Sequence, residues 1–418
     1  MSKLKELIGR LCPDGVEFIK LSSIGVFENI GVDKKTRPNE PLVQLLNYVD
    51  VYKNKYIDAS IPSMTVSAPI RKIQDCDIRQ WDLFITPTSE TRDDIGHTAV
   101  VIEDMPNVVY SYHIMRFRLN NPNKINACFI NYIFESIEVQ KQIYRFASGL
   151  TRFGLSKYKF GDIEIPFPPI EVQEEIVRIL DCFAAYSAEL QAELQARKEQ
   201  YEYYRNLLLT FNPSACGCGT DDAQEIKVTT WGGDSYEIVW KTMGEICVNH
   251  DRKRKPITAS KRNAGRFPYY GASGIVDYVD SYIFDGEYLL ISEDGANLLT
   301  RSTPIAFPIS GKNWVNNHAH VLEFESKVTQ RYIEFYFNMI DISKYVSGGA
   351  QPKLNQESLN SIIIPIPPLA LQEKIVAILD RFEALVNDLT LGLPAEIAAV
   401  KERYEYHRNK LLTFKQAV

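Results

Sequence analysis

Residues 165–183 read IPFPPIEVQEEIVRILDCF and residues 364–382 read IPIPPLALQEKIVAILDRF, so 12 of 19 positions are identical without a gap. Each copy runs into a long charged and apolar stretch that closes on YEYYRNLLLTF (201–211) or YEYHRNKLLTF (404–414). A duplication at a fixed offset of 199 residues (165 to 364) confines the fold to a repeated unit whose constant part is this segment. What precedes each copy must be the part that varies.

The segment has a readable entry. Ser156 and Asn355 stand where a short helical turn needs an N-cap. A short strand follows, and then Pro168-Pro169 or Pro367-Pro368 hold the backbone extended, so a long helix can begin only afterwards. In the first helix Ile176, Ile179, Phe183, Tyr186, Leu190, Leu194, Tyr201, Tyr204, Leu208 and Phe211 recur at 3–4 spacing, with Arg197 the polar occupant of a coiled-coil seam. The second helix is four residues longer, because the offset grows to 203 (201 to 404). The extra residues fall at Leu391-Gly392-Leu393-Pro394, where a four-residue insertion with Gly and Pro predicts a kink or break. About 40 residues at ~1.5 Å each span about 60 Å. Antiparallel packing of the two helices, with a globule at each end, is the simplest closure.

The variable parts read as mixed α/β. Residues 82–86 and 108–119 carry strand patterns, and 127–143 carry a helical one. The second half repeats this faintly at 288–291, 314–324 and 330–340, with His318 where His113 stands. Ser347-Gly348 and Leu354 answer Ser148-Gly149 and Leu155 at the same offset. The expected class is α+β: two α/β domains separated by two long antiparallel coiled-coil helices in a pseudo-two-fold repeat. The expected boundaries are 1–164 for the first domain and 165–212 for the first helix. Residues 213–363 would hold a linker and the second domain, and 364–418 the second helix.

A length of 418 residues exceeds one ordinary core. No apolar run approaches the roughly 18 residues of a membrane helix, and the N-terminus has no signal-peptide core, so a cytoplasmic protein is expected. Seven cysteines without an export signal argue against structural disulfides. Cys216 and Cys218 lack the second ligand pair that zinc requires and read as linker. The formal charge of −6 argues against indiscriminate nucleic-acid coating, but binding depends on local patches.

Such patches exist. The second domain carries Arg252, Lys253, Arg254, Lys255, Lys261, Arg262 and Arg266, followed by Tyr269, Tyr270 and the loop GASG with Ser273. The first carries Lys34, Lys35 and Arg37, with Tyr48, Tyr52 and Tyr56 nearby. Polar loops follow predicted strands at Thr88, Ser89 and Arg92 and at Glu293, Asp294 and Asn297. Arg152 and the loop of Gln351, Lys353 and Asn355 lie beyond the Ser-Gly pairs. Basic side chains hold phosphates, while polar loops beside them read base edges. Two such domains on a helical ruler suit a bipartite DNA site. No catalytic motif emerges: Gly311-Lys312-Asn313 lacks the first glycine and the hydroxyl of a phosphate loop, and Glu325-Ser326-Lys327 lacks the aspartate of a nuclease. His318 and His320 read as strand histidines.

The order of variable domain, PxPPxxxQ-x-x-I-V-x-I-L-D-x-F helix, variable domain and second helix resembles the specificity (S) subunit of type I restriction–modification systems. The resemblance covers nearly the whole chain and includes FPYYGASGIVDYVDSYIFDGEYLLISEDG (267–295) and SGGAQPKLNQESL (347–359). It implies a non-catalytic subunit whose domains each read half of a bipartite double-stranded DNA site. It implies further that the helices dock two methyltransferase (M) subunits, and that restriction (R) subunits join. S-adenosylmethionine, ATP and Mg would sit on those partners, with no cofactor or metal on this chain. Tyr201, Tyr204, Leu208, Phe211, Tyr404, Leu411 and Phe414 are then candidate partner surface. The rival readings are a coiled-coil scaffold that binds only proteins, and a recognition module split from a single-chain restriction–methylation enzyme.

Overall fold

A computed structural model describes residues 2–211, 226–229, 235–349 and 351–417. The Cys216 and Cys218 reading lies outside the described residues; Cys12, Cys76, Cys128, Cys182 and Cys247 are free thiols. Among the described residues no helix is long and apolar enough to cross a membrane.

The chain divides differently from its linear order of domain, helix, domain, helix. One compact unit comprises Met1–Gln191 with Ile397–Val418, and the other comprises Ala192–Glu396. The physical reason is that each long helix is shared. The first is one unbroken element, Ile170–Leu209, and its two halves enter different cores.

In the first unit, Val172, Ile176 and Leu180 join the head's core together with Leu411 and Leu412 from the chain's end. Phe183 packs on Tyr404 and His407, so the last helix runs antiparallel to the first. In the second unit, Leu209 and Phe211 share a core with Leu371, Ile375 and Leu379, and Tyr201 and Tyr204 pack on Phe382, again antiparallel.

The helix entries follow the sequence logic closely. Glu164–Phe167 and Ile363–Ile366 are edge partners of Glu17–Lys20 and Ser235–Thr242, and the helices begin at Ile170 and Leu369, directly after the prolines. Ser156 and Asn355 cap the preceding short helices by accepting from Lys159 N and Ser358 N. The motif glutamines are buried. Gln173 Nε2 donates to Pro168 O (2.8 Å) and Gln372 Nε2 to Pro367 O (2.7 Å), satisfying carbonyls that neither strand nor helix can use.

The second long helix is broken, as its insertion predicts. It runs Leu369–Asn387 and resumes at Leu393–Leu411. Asp388 Oδ1 accepts from Thr390 N, Thr390 Oγ1 and Leu391 N, a side-chain turn that replaces the helical hydrogen bonds.

The first head holds a five-stranded sheet in the order Gly25–Glu28, Met115–Leu119, Leu83–Ile85, Thr98–Val101, Tyr56–Ile57, and a three-stranded sheet, Met64–Ser67, Leu42–Leu46, Val108–Tyr110. The second head gathers six strands in the order Val248–Asn249, Ala319–Glu323, Phe284–Ser292, Ala306–Val315, Ala264–Gly271, Gly274–Val279. Three expectations change. The single helix read over 127–143 is two, Ala127–Phe134 and Ile137–Phe146, because Ser136 Oγ accepts from Val139 N and starts a new helix. The strand read over 108–119 likewise splits into Val108–Tyr110 and Met115–Leu119, and its counterpart read over 314–324 falls into Ala306–Val315 and Ala319–Glu323.

Candidate nucleic-acid interface

In each head two loops far apart in sequence are stitched together. In the first, Ser148–Gly149 pairs with Phe153–Gly154, which pairs with Thr88–Ser89. In the second, Lys353 bridges both Ser347 and Asp294. The turn between needs glycine: a Cβ on Gly149 (φ +145°) would lie 2.0 Å from Arg152 O, and one on Gly348 (φ +84°) 2.5 Å from Gln351 O. This explains the Ser-Gly match at equal offset. The loops after the two central strands therefore meet the loops before the two spacer helices.

The second head fastens this junction with a buried charge network. Asp251 Oδ1 accepts from Val321 N, and its Oδ2 lies 2.5 Å from His320 Nδ1. His320 Nε2 lies 2.8 Å from Leu354 O, so each ring nitrogen faces an oxygen, one of a carboxylate and one of a backbone carbonyl. Arg254 Nη1 donates to Glu293 Oε2 (2.5 Å) and Ala319 O (2.7 Å), while Nη2 lies 3.3 Å from Asp251. Lys353 Nζ sits 3.2 Å from the other oxygen of Glu293. Burial opposes ionisation of Asp251, yet His320 and Arg254 hold its carboxyl below the usual range. Asp251, Glu293 and His320 have the donor types and proximity of a metal site. Arg254 already spans the two carboxylates, so the arrangement is an ion-pair hub.

The first head uses a smaller polar knot. Asp94 accepts from Tyr52 Oη (3.0 Å) and Ser89 Oγ (2.7 Å) and pairs with His97 Nε2 (2.9 Å). Partial burial opposes ionisation, but these three groups keep its carboxyl below the ordinary range. Tyr48 Oη donates to Thr88 O and Arg152 Nη2 to Thr88 Oγ1. Burial, then the charges of Lys34 and Arg152, depress the His113 imidazole below its ordinary value.

A family model for the type I restriction modification DNA specificity domain matches residues 13–199 and again 237–399. The chain belongs to that family.

A putative type I restriction enzyme specificity subunit of Haemophilus influenzae is 38% identical over 183 residues, covering 43% of this chain and 47% of that protein. A putative type I specificity subunit of Mycoplasma pneumoniae is 32% identical over 255 residues, 59% of this chain and 92% of that one. The crystal structure of the type I S subunit from M. genitalium superposes over 95% of this chain and 96% of its own, with TM-score 0.53 and 14% identity, a likeness of fold.

Within this specificity-family framework the sequence-selected residues separate into surface and support. Lys34, Lys35, Arg37, Arg152, Arg252, Lys253, Lys255, Ser273, Gln351, Lys353 and Asn355 are exposed, although Lys35 pairs with Asp33 and Arg37 with Glu40. Thr88, Arg92, Tyr270 and Asp294 are half-buried, and Arg92 lies over the Tyr144 and Phe153 rings. Others face inward. Tyr269 is 1% exposed, and its hydroxyl accepts from Ile257 N. Ser89 and Glu293 are buried, Arg254 is consumed by the hub, and Asn297 spends its amide on Ser302 and Thr303.

The seven helix residues selected as partner surface also turn inward. Phe211 and Leu411 are core, and Tyr201, Tyr204, Leu208, Tyr404 and Phe414 pack against it or across the helix pair. Among the described residues of the two long helices the most exposed aromatics are Tyr203 (63%) and Tyr406 (60%), ahead of Tyr186 (43%), and the first two are equivalent at the offset of 203 (203 to 406). Their signal was available: both stand out of phase with the apolar seam. His97 also belongs to the first junction through Asp94, and no motif marks it; His113 is marked only by its repeat equivalence to His318.

Proposed function

We propose that this chain is the DNA sequence-specificity subunit of a type I restriction–modification complex, each head reading one half of a bipartite site. The observation that carries this reading is the repeated junction. On each of two units built on the same helix motif, a post-strand loop and a pre-helix loop are locked together beside exposed cations. Such a surface can hold phosphates with Lys34, Arg152, Arg252 and Lys253 and present polar loop atoms to base edges.

In this reading the chain is non-catalytic and acts in the cytoplasm. The paired helices set the distance between half-sites and dock two methyltransferase subunits, with restriction subunits joining the assembly. S-adenosylmethionine, ATP and Mg belong to those partners. The repeat-related Tyr203 and Tyr406 suit the docking role, because exposed aromatics are favoured anchors at protein interfaces.

The test is selection from random-sequence duplexes with the chain reconstituted with its methyltransferase. Two short motifs separated by an unselected spacer of fixed length are expected. No enrichment would favour a protein-only scaffold, and a single contiguous motif would remove the two-headed reading.

A further inference from the structure

The outermost strand of the second head's six-stranded sheet exposes apolar side chains where an edge usually shows charge. It is Gly274–Val279, joined to Ala264–Gly271 by the two-residue turn Ala272-Ser273. Tyr270 pairs with Ile275 but Tyr269 pairs with Asp277, so Val276 is an extra residue in the edge strand. Such a bulge re-aims side chains. Ile275 and Val276, adjacent in sequence, are accordingly both exposed, at 50% and 58%. Gly271 makes room for this: a Cβ there would lie 2.7 Å from Val276 Cγ2.

The hairpin is anchored to the candidate interface. Ser292 Oγ, one residue before Glu293, donates to Ala272 O (2.5 Å), and Asn316 N donates to Tyr270 O (3.1 Å). Lys261, Arg266 and Lys312 stand exposed along it, Lys312 over the Tyr282 ring at 4.7 Å. An apolar ridge flanked by cations is complementary to a DNA groove, where phosphates line the rim and thymine methyl groups are the apolar feature of the floor. The major groove admits a two-stranded ribbon.

We propose that this hairpin is the groove-entering ribbon of the second head, and that Ile275 and Val276 read thymine methyl groups. The inference rests on the DNA-specificity reading above. It makes the heads unequal. The first head has the same strand arrangement, Leu42–Leu46 antiparallel to Met64–Ser67 and parallel to Val108–Tyr110. There, however, residues 47–63 join the two antiparallel strands, and no tight tip results.

Replacing thymine by deoxyuridine in the selected duplex removes only the methyl group. With the full chain in its methyltransferase complex, uracil at one or two positions of one half-site should weaken binding about fourfold each, the change for one lost buried methyl. The other half-site should be indifferent to uracil at these positions' counterparts. Ile275→Ala and Val276→Ala should erase that sensitivity, and their exposure keeps the fold out of question. Uracil tolerance throughout both half-sites, half-sites without thymine, or sensitivity unchanged in both variants would overturn the assignment while leaving the specificity role intact. Absence of any selected sequence would instead overturn that role, and this inference with it.

Discussion

Tyr132 and Arg331 stand at the same place in the two repeats, 199 residues apart (132 to 331), and each holds the aspartate of its own helix motif. Tyr132 Oη donates to Asp181 Oδ1 at 2.6 Å, and Arg331 Nε donates to Asp380 Oδ1 at 2.8 Å, both across 49 residues. In the first unit a second hydroxyl, Tyr56 Oη, joins Asp181 at 2.6 Å. In the second, Arg331 reaches Glu334 and Glu383 as well. The aspartate of I-L-D is thus the latch between head and helix, closed by neutral donors once and by a guanidinium once.

The two latches should fail differently. Tyr132→Phe removes one hydrogen bond to a charged acceptor and leaves Tyr56, so a loss of about 1–2 kcal/mol is expected in the first unit. Arg331→Met strands three carboxylates. Asp380 (46% exposed) and Glu383 (35%) are partly solvated, which moderates the loss to about 2–3 kcal/mol. Hydrogen-exchange mass spectrometry separates the two units; equal effects would contradict this account.

Glu334 gives the second latch a pH dependence. Burial, against the opposing pull of Arg331, raises its carboxyl to about 7 from an ordinary value near 4.5, and Glu383 and Asp380 push the same way. Arg205, Arg301 and Tyr201 line the same pocket. Because the folded value is raised, the stability this group contributes is complete at low pH. It falls as pH rises from about 4.5 and is lost by about 7. Glu334→Gln keeps an acceptor for Arg331 and should flatten that part of the profile. The difference in unfolding free energy between wild type and variant, measured at pH 5 and pH 8, should favour the variant only at pH 8.

The basic cluster at 252–254 should split by role. Arg252 and Lys253 are exposed; Arg254 is not. Lys253→Ala should leave the melting temperature alone, weaken all DNA sequences alike, and reduce the slope of log K against log salt by about 1. Arg254→Ala leaves Asp251 and Glu293 without their cation and should destabilise the second head by about 3–5 kcal/mol. Salt titration paired with melting resolves the two cases, and matching behaviour would dissolve the distinction.

What the sequence made legible was local. Proline pairs, N-caps at Ser156 and Asn355, and the inserted Leu-Gly-Leu-Pro each act within a few residues, and the structure places a helix start or break at each. What it hid was distant. Asp251 meets His320 across 69 residues and Arg254 meets Glu293 across 39, so a run of four basic residues could not reveal that one of them closes a buried hub. The unit boundaries were hidden for the same reason. Helical periodicity marks which residues are apolar, but Phe183 and Tyr404, or Tyr204 and Phe382, meet only after the chain has returned.

Tyr203 and Tyr406 supply a test of docking. Each is exposed while its neighbour Tyr204 or His407 faces the helix pair. Tyr203→Ala and Tyr406→Ala should each weaken methyltransferase association by about 2 kcal/mol or more if they are hot spots. Stability should be unaffected. Sedimentation of the reconstituted complex would show one methyltransferase lost in each single variant and both in the double; full occupancy in the double would exclude these tyrosines from the interface.

The spacer helix itself offers the sharpest test of the ruler. Ala188-Glu189-Leu190-Gln191 is followed directly by an identical tetrapeptide, Ala192-Glu193-Leu194-Gln195. Deleting the first brings Leu194 into the place of Leu190, the one buried residue of the four, so the seam keeps its apolar contact. The helix shortens by about 6 Å and its two ends rotate by only about 40° relative to each other. The second helix is already interrupted between Asn387 and Leu393, where it can absorb the change without breaking a continuous hydrogen-bond ladder. At about 3.4 Å per base pair, the spacer between half-sites should lose one or two base pairs while both half-sites stay the same. Selection with the deletion variant reads spacing and half-sites together. Altered half-sites at unchanged spacing would mean that the helix shapes the heads instead of separating them.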